Sequence, residues 1–148
     1  MFKKILYPTD FSEVSKKALE FIKKFKESGA REVVVLHVID EREIETALRH
    51  DDGGILGFEQ EFKKQVEDIS KKELSAVEAE LKQSGFDVKT ILKKGIPFRE
   101  ILRAEDEENV SILVIGSHGK SAIAEMLLGS VSENVIRKST KPVLVVRR

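Results

Sequence analysis

The sequence predicts an open α/β fold, a sheet of five parallel strands with helices on both faces. Three observations lead there. Short apolar runs of strand length alternate with longer segments of helical periodicity along the whole chain, the pattern of right-handed crossovers between parallel strands. One run, Val33-Val34-Val35-Leu36, contains no polar residue, as suits a parallel strand covered on both faces. The fourth strand breaks at Gly116-Ser117-His118-Gly119 and leads, through Gly129-Ser130, into a helix. A glycine turn followed by bare helix N–H groups is suited to holding an anion, a phosphate above all.

Each element has a local signal. Lys4–Tyr7 reads as the first strand, ended by Pro8-Thr9-Asp10. Ser12 caps a helix whose Val14, Ala18, Phe21, Ile22 and Phe25 recur at helical spacing, and Ser28-Gly29 stops it. Glu32–Val38 is the second strand. The stretch Asp40–Gly57 is polar, then glycine-rich, and is expected to be a mobile connection with a short helix around Ile44–Leu48. A long helix follows over Phe58–Gln83. Its apolar stripe Phe62, Val66, Ile69 continues as Leu74, Val77, Leu81 after a one-residue slip near Ser70, and Gly85 closes it. Asp87–Leu92 is the third strand. Pro97 starts the next helix with Phe98, Ile101 and Leu102, and the acid run Glu105–Glu108 is expected to be its solvated end. Strand four is Ser111–Ile115, the last helix Val131–Lys138, and strand five Val143–Val146. Ser130 and Glu133 stand in the Ser-x-x-Glu capping relation at the start of that helix.

At 148 residues the chain suits a single domain that buries about two-thirds of its unfolded surface. Its 26 basic and 26 acidic residues cancel, so no overall field favours nucleic acid or an anionic membrane. The absence of cysteine excludes disulfides, thiol catalysis and cysteine metal sites. The first apolar run is interrupted at Pro8 and Asp10, too early for a signal peptide, and no run reaches transmembrane length. A cytoplasmic protein is expected.

Two familiar phosphate loops are excluded. A P-loop ending at Gly119-Lys120-Ser121 would need a glycine where Val114 stands, inside the strand, and no G-x-G-x-x-G occurs. Fully extended, the steps from Gly119 to Gly129 would span roughly 33 Å. If both glycines serve one ligand, the intervening residues must double back, with Ala122, Ile123, Met126 and Leu127 seating them on the core. On spacing alone, two loop glycines and an ordinary helix cap explain the pattern equally well.

The motif Gly116-x-x-Gly119, nine residues, Gly129-Ser130 resembles the nucleotide motif of the ATP-binding universal stress proteins. Ile5-Leu6-Tyr7-Pro8-Thr9-Asp10-Phe11-Ser12, Leu36-His37-Val38-Ile39-Asp40 and Lys141-Pro142-Val143-Leu144-Val145-Val146 are similar to other signatures of that family, in the same order. The resemblance spans the chain and is poorest over Asp40–Gly57. It implies strand order 3-2-1-4-5, a Rossmann-like arrangement of the adenine nucleotide α-hydrolase type. Strands one and four then lie side by side at a switch point, where open α/β sheets bind ligands.

The resemblance further implies ATP, or AMP or ADP, with Mg²⁺. The site would comprise Pro8, Thr9, Asp10, Val38, Gly116, Ser117, His118, Gly119, Lys120, Gly129, Ser130, Val131 and Ser132. Asp10 would bind ribose or help hold Mg²⁺, or merely cap the next helix. Val38 would meet the adenine edge through its backbone while remaining a core valine. Gly116 and Gly119 would let the backbone approach the ligand, with phosphates near the N–H groups of Gly129–Ser132 and the hydroxyls of Ser130 and Ser132 as further donors. Lys120 is a phosphate neighbour or a solvated lysine, and His118 a loop residue lining the phosphates. His37 reads as structural. His50-Asp51-Asp52 has metal-binding side chains but sits in a polar, glycine-bounded stretch.

In that strand order the fifth strand is an edge. Val143, Leu144, Val145 and Val146 carry no charge or proline to discourage pairing, so a homodimer through them is expected. No Ser-His-Asp set, H-E-x-x-H helix or paired buried carboxylates can be assembled, which argues against efficient catalysis. The first reading is therefore an ATP-binding regulatory module of the stress response, acting on an unidentified protein partner. A slow ATPase, with Asp10 or His118 positioning water, is the second. A nucleotide-free interaction protein is the third, disfavoured because members that lack ATP binding typically lose the glycines.

Overall fold

The computed structural model describes residues 2–49, 56–118 and 128–148. Five strands, β1 (Lys4–Pro8), β2 (Glu32–Asp40), β3 (Asp87–Gly95), β4 (Ile112–Gly116) and β5 (Val143–Val146), form one sheet in the order β3-β2-β1-β4-β5. All neighbours are parallel. The order 3-2-1-4-5 expected from the resemblance is the order observed. The helices are α1 (Glu13–Phe25), α2 (Glu41–Arg49), α3 (Leu56–Gln83), α4 (Pro97–Glu107) and α5 (Ser130–Lys138). Among the described residues no helix is long and apolar enough to cross a membrane.

Strand alternation sorts the core into two layers. Ile5, Tyr7, Val33 and Val35 face α1 and the second half of α3, through Ala18, Ile22, Leu74 and Leu81. Leu6, Val34, Leu36 and Ile115 face α4 and α5, through Ile101, Ala104 and Val135. The apolar run in β2 is thus buried on both faces, as its sequence indicates. β1 stops where Pro8 pairs with Leu36, whereas β2 and β3 stay paired to Asp40 and Gly95. Both therefore outrun the expected ends at Val38 and Leu92, because each supplies the other's ladder partners, and they overhang the end of β1.

Local signals hold at several ends. Ser12 Oγ accepts from the N–H of Ser15 at 3.3 Å and caps α1, and Gly29, at φ 99°, closes the turn behind it. Pro97 opens α4. The stretch after Asp40 contains the expected short helix around Ile44–Leu48, extended at both ends. It is helical from Glu41 to Arg49, because Asp40 accepts from Arg42 N at 3.0 Å and pairs with its guanidinium at 2.9 Å. His50, Asp51 and Asp52 lie outside the described residues.

The acid run is also corrected. Glu105 is 2 % exposed, not solvated. Its Oε1 accepts from Ser139 Oγ at 2.7 Å, Lys141 N at 2.8 Å and Thr140 N at 3.0 Å. One carboxylate of α4 thus fixes the corner between α5 and β5. Removing it in Glu105→Ala should cost about 2–3 kcal/mol, since the N–H groups lose a charged acceptor. Thermal unfolding followed by circular dichroism should show a drop of roughly 5–10 °C for a chain of this size. Glu105→Gln, which keeps an acceptor oxygen, should lose less.

Candidate functional site

The carboxyl ends of β1 and β4 open into a cleft of about 830 Å³. On the β1 side the turn is held by side chains. Tyr7 Oη donates to Ser15 O at 2.5 Å, and Ser15 Oγ donates to Thr9 Oγ1 at 2.6 Å. Thr9 Oγ1 also accepts from Phe11 N, and Asp10 Oδ1 from Ser12 N, each at 3.0 Å. Burial pushes the Tyr7 phenol above its ordinary range, partly offset by its bond to Ser15, so at neutral pH it is a donor. Phe11 sits at φ 64°, an uncommon conformation for a side chain of its bulk. Its ring packs 4.5 Å from His37, whose Nδ1 donates to Thr9 O at 2.7 Å.

On the β4 side, a Cβ on Gly116 would lie 2.9 Å from Val14 Cγ1 and 3.3 Å from Ser15 N. The glycine therefore lets β4 approach α1, a reason independent of any ligand. Ser117 is buried, donating its N–H to Val146 O and accepting from Gly129 N, both at 2.8 Å. His118 Nδ1 lies 2.8 Å from Ser117 Oγ, and its buried Nε2 has no hydrogen-bond partner among the described residues.

The start of α5 corrects the expected capping box. Ser130 is the first helical residue, the cap is Gly129, and among the described residues no side chain caps the helix N-terminus. Glu133 turns away to Arg137, at 2.8 Å. The first helical bond runs from Glu133 N to Gly129 O, so the N–H groups of Ser130, Val131 and Ser132 have no acceptor within the helix. The Ser132 hydroxyl, expected as a ligand donor, instead donates to Gly116 O at 2.7 Å and ties α5 to β4.

Pro8, Thr9, Asp10, Val38, Gly116, His118, Gly129, Ser130, Val131 and Ser132 all line the cleft. Ser117 lies behind it, and Gly119 and Lys120 fall outside the described residues. Sequence reasoning missed Phe11, whose left-handed backbone has no sequence signal, and treated His37 as purely structural. It also missed the wall formed by Ile39, Ile44 and the α3 residues Phe62, Val66, Ile69 and Ser70. The slip near Ser70 was its signal: after it the stripe packs on the sheet, and before it the stripe lines the cleft.

Fold and site together define an open α/β protein with a cleft at the switch point between β1 and β4, into which the first N–H groups of α5 open. The model of the universal stress protein family matches residues 1–147. The chain belongs to that family. Universal stress protein MJ0577 of Methanocaldococcus jannaschii is 48% identical, across 100% of this chain and 96% of that protein. A solved structure of MJ0577 matches with a TM-score of 0.88 at 49% identity, covering 100% of this chain and 97% of that one. Universal stress protein YxiE of Bacillus subtilis is 36% identical over 99% of this chain and its own full length. A universal stress protein from Archaeoglobus fulgidus, solved in complex with dAMP, shares the fold at 21% identity and a TM-score of 0.63, covering 99% of this chain and 98% of that one.

Gly116→Ala should cost about 1–3 kcal/mol through overpacking against α1. The cost should shrink in a Val14→Ala background, where the closest clashing atom is gone. A double-mutant cycle by urea unfolding measures that coupling.

Proposed function

We propose that this protein is a cytoplasmic adenine-nucleotide-binding module of the stress response, taking ATP, or AMP or ADP, and acting through nucleotide-dependent contacts with a protein partner. The observation that carries this is the uncapped start of α5. Three N–H groups without helical acceptors open on the cleft at Ser130–Ser132, where the helix dipole favours negative charge. Adenine would lie against Val38 and Pro8, ribose near Asp10, and phosphates at Ser130–Ser132 with the Gly116–Lys120 turn. The dAMP held by the Archaeoglobus fulgidus relative shows that the fold accommodates such a molecule in another member.

Charge balance supports Mg²⁺ as companion. The cleft lining includes Asp10, Asp40, Glu43 and Glu73, and neither lysine nor arginine among the described residues. A polyphosphate entering there needs a counter-cation. Among the described residues no cluster of three His, Asp or Glu side chains is suited to hold a metal by itself. The ion would enter on the phosphate oxygens, with Asp10 as its protein contact.

Gly129→Val tests the cradle. A branched side chain there occupies space that phosphate oxygens need and turns the following N–H groups aside. Loss of two charge-assisted bonds at about 1.5 kcal/mol each weakens ATP binding about a hundredfold. Adenosine, lacking phosphates, should bind the variant as it binds wild type. Calorimetry with both ligands on folded protein decides. Equal losses mean general damage, and unchanged ATP affinity places the cradle elsewhere.

We also propose a homodimer through β5. It is a sheet edge, and Val143, Leu144 and Val145 remain partly exposed there. Light scattering at tens of micromolar should find a dimer in wild type and a monomer in Val145→Lys. A monomeric wild type contradicts the assignment.

A further inference from the structure

The cleft straddles the end of the sheet, and the nucleotide reading uses one side of it. Val38, Ile101, Ile115 and Val131 belong to the α4/α5 layer. By strand alternation His37 and Ile39 point to the opposite layer, where Phe11 packs against the α1/α3 core. There the cleft is walled by α3, whose Phe62, Val66, Ile69, Ser70 and Glu73 follow the spacing of one helical face. The nucleotide reading counts Glu43 and Glu73 in the charge of the cleft but places no group of the ligand against this second lobe.

Three features describe what it would hold. Its walls are apolar, and Ile69 is 59 % exposed, a large cost for a residue with no use for contact. Its rim is acidic: Glu43 and Glu73 line it and make no salt bridge among the described residues, while Asp40 is already paired with Arg42. Ser70 is only 5 % exposed, yet its hydroxyl makes no hydrogen bond among the described residues, not even to the carbonyl one turn back. The hydroxyl is open to the cleft, where a bound molecule can take the place of water.

We propose that this lobe binds a small amphipathic cation, an apolar body bearing an ammonium group, independently of any nucleotide. The apolar body lies against Phe62, Val66 and Ile69. The ammonium reaches the carboxylates of Glu43 and Glu73, and the Ser70 hydroxyl, open to the cleft, meets the bound molecule or its accompanying water. An anion of the same shape is repelled by the same rim, which separates this site from the phosphate end of the cleft.

The test compares octylamine, octanol and octanoate by chemical-shift titration of the full chain. Two rim carboxylates at about 1 kcal/mol or less each should favour octylammonium over octanol about tenfold. Octanoate should bind more weakly than either, and the shifts should centre on Phe62, Val66 and Ile69. Glu43→Gln combined with Glu73→Gln should bring octylammonium down to the affinity of octanol and leave octanol unchanged. Val66→Trp should fill the lobe and abolish both. Should that variant not fold, Ile69→Gln, at an exposed position, should weaken both. Equal affinity for the three probes overturns the proposal. So do binding retained in the Val66 or Ile69 variant, or shifts centred on Val38 and Val131. ATP titrated in parallel keeps the two sites distinct, because the Ile69 variant, weakened toward octylammonium, should bind ATP as wild type does.

Discussion

The first turn of α1 is wedged between two strands, and the geometry of the cleft depends on that wedge. Tyr7 on β1 and Thr9 just after it hold Ser15 through its carbonyl and hydroxyl, while β4 comes so close that only a glycine fits at position 116. Those contacts fix how far apart the ends of β1 and β4 stand. They also place the carbonyl of Gly116 where Ser132 can donate to it, so α5 takes its position from the same wedge. Ser117 extends the chain of contacts to Val146 on one side and Gly129 on the other. A cradle built of backbone N–H groups is only as well aimed as the elements that carry it. Here the elements that carry those N–H groups are positioned by packing and by hydrogen bonds within the protein.

What could be read from the sequence follows a physical division. Elements announced by periodicity or by local bonds were legible: the buried run of β2, the Ser12 cap, Pro97 at the start of α4, and the glycine turn after β4. Features decided by distant partners were not. Glu105 reads as part of a solvated acid run because the three groups that satisfy it lie beyond residue 138, on another element. Gly116 reads as a ligand glycine because Val14, its reason for being small, is a hundred residues away in sequence. The capping box at Ser130 is a local pattern that the structure declines, since the helix starts one residue earlier and Glu133 has Arg137 within reach.

That refusal has an energetic side. A Ser or Asp at the cap would stabilise the helix by roughly a few tenths of a kcal/mol over a glycine, and α5 forgoes it by starting from Gly129. The N–H groups left open are solvated in the free protein. Under the proposed reading, an anion in place of that water would gain preorganised donors and stabilise the helix at the same time. Local stability and occupancy are therefore linked at this end of the molecule. Because Gly129 also bonds to Ser117, and Ser117 to β5, the edge strand shares in whatever order the ligand brings.

The long helix α3 behaves as a beam clamped at one end. Leu74 and Leu81 are sunk in the core, while the first half projects past the sheet with Ile69 largely uncovered. A clamped beam divides two kinds of constraint along one continuous element. Substitutions in the clamped half disturb packing and are felt by the whole fold, whereas those in the other half act on the wall of the cleft and on the Glu67–Lys94 ion pair with β3. One turn of helix around Ser70 separates them. A lineage of proteins with this architecture can thus exchange the character of that wall, residue by residue, while the machinery on the other side of the sheet stays as it was.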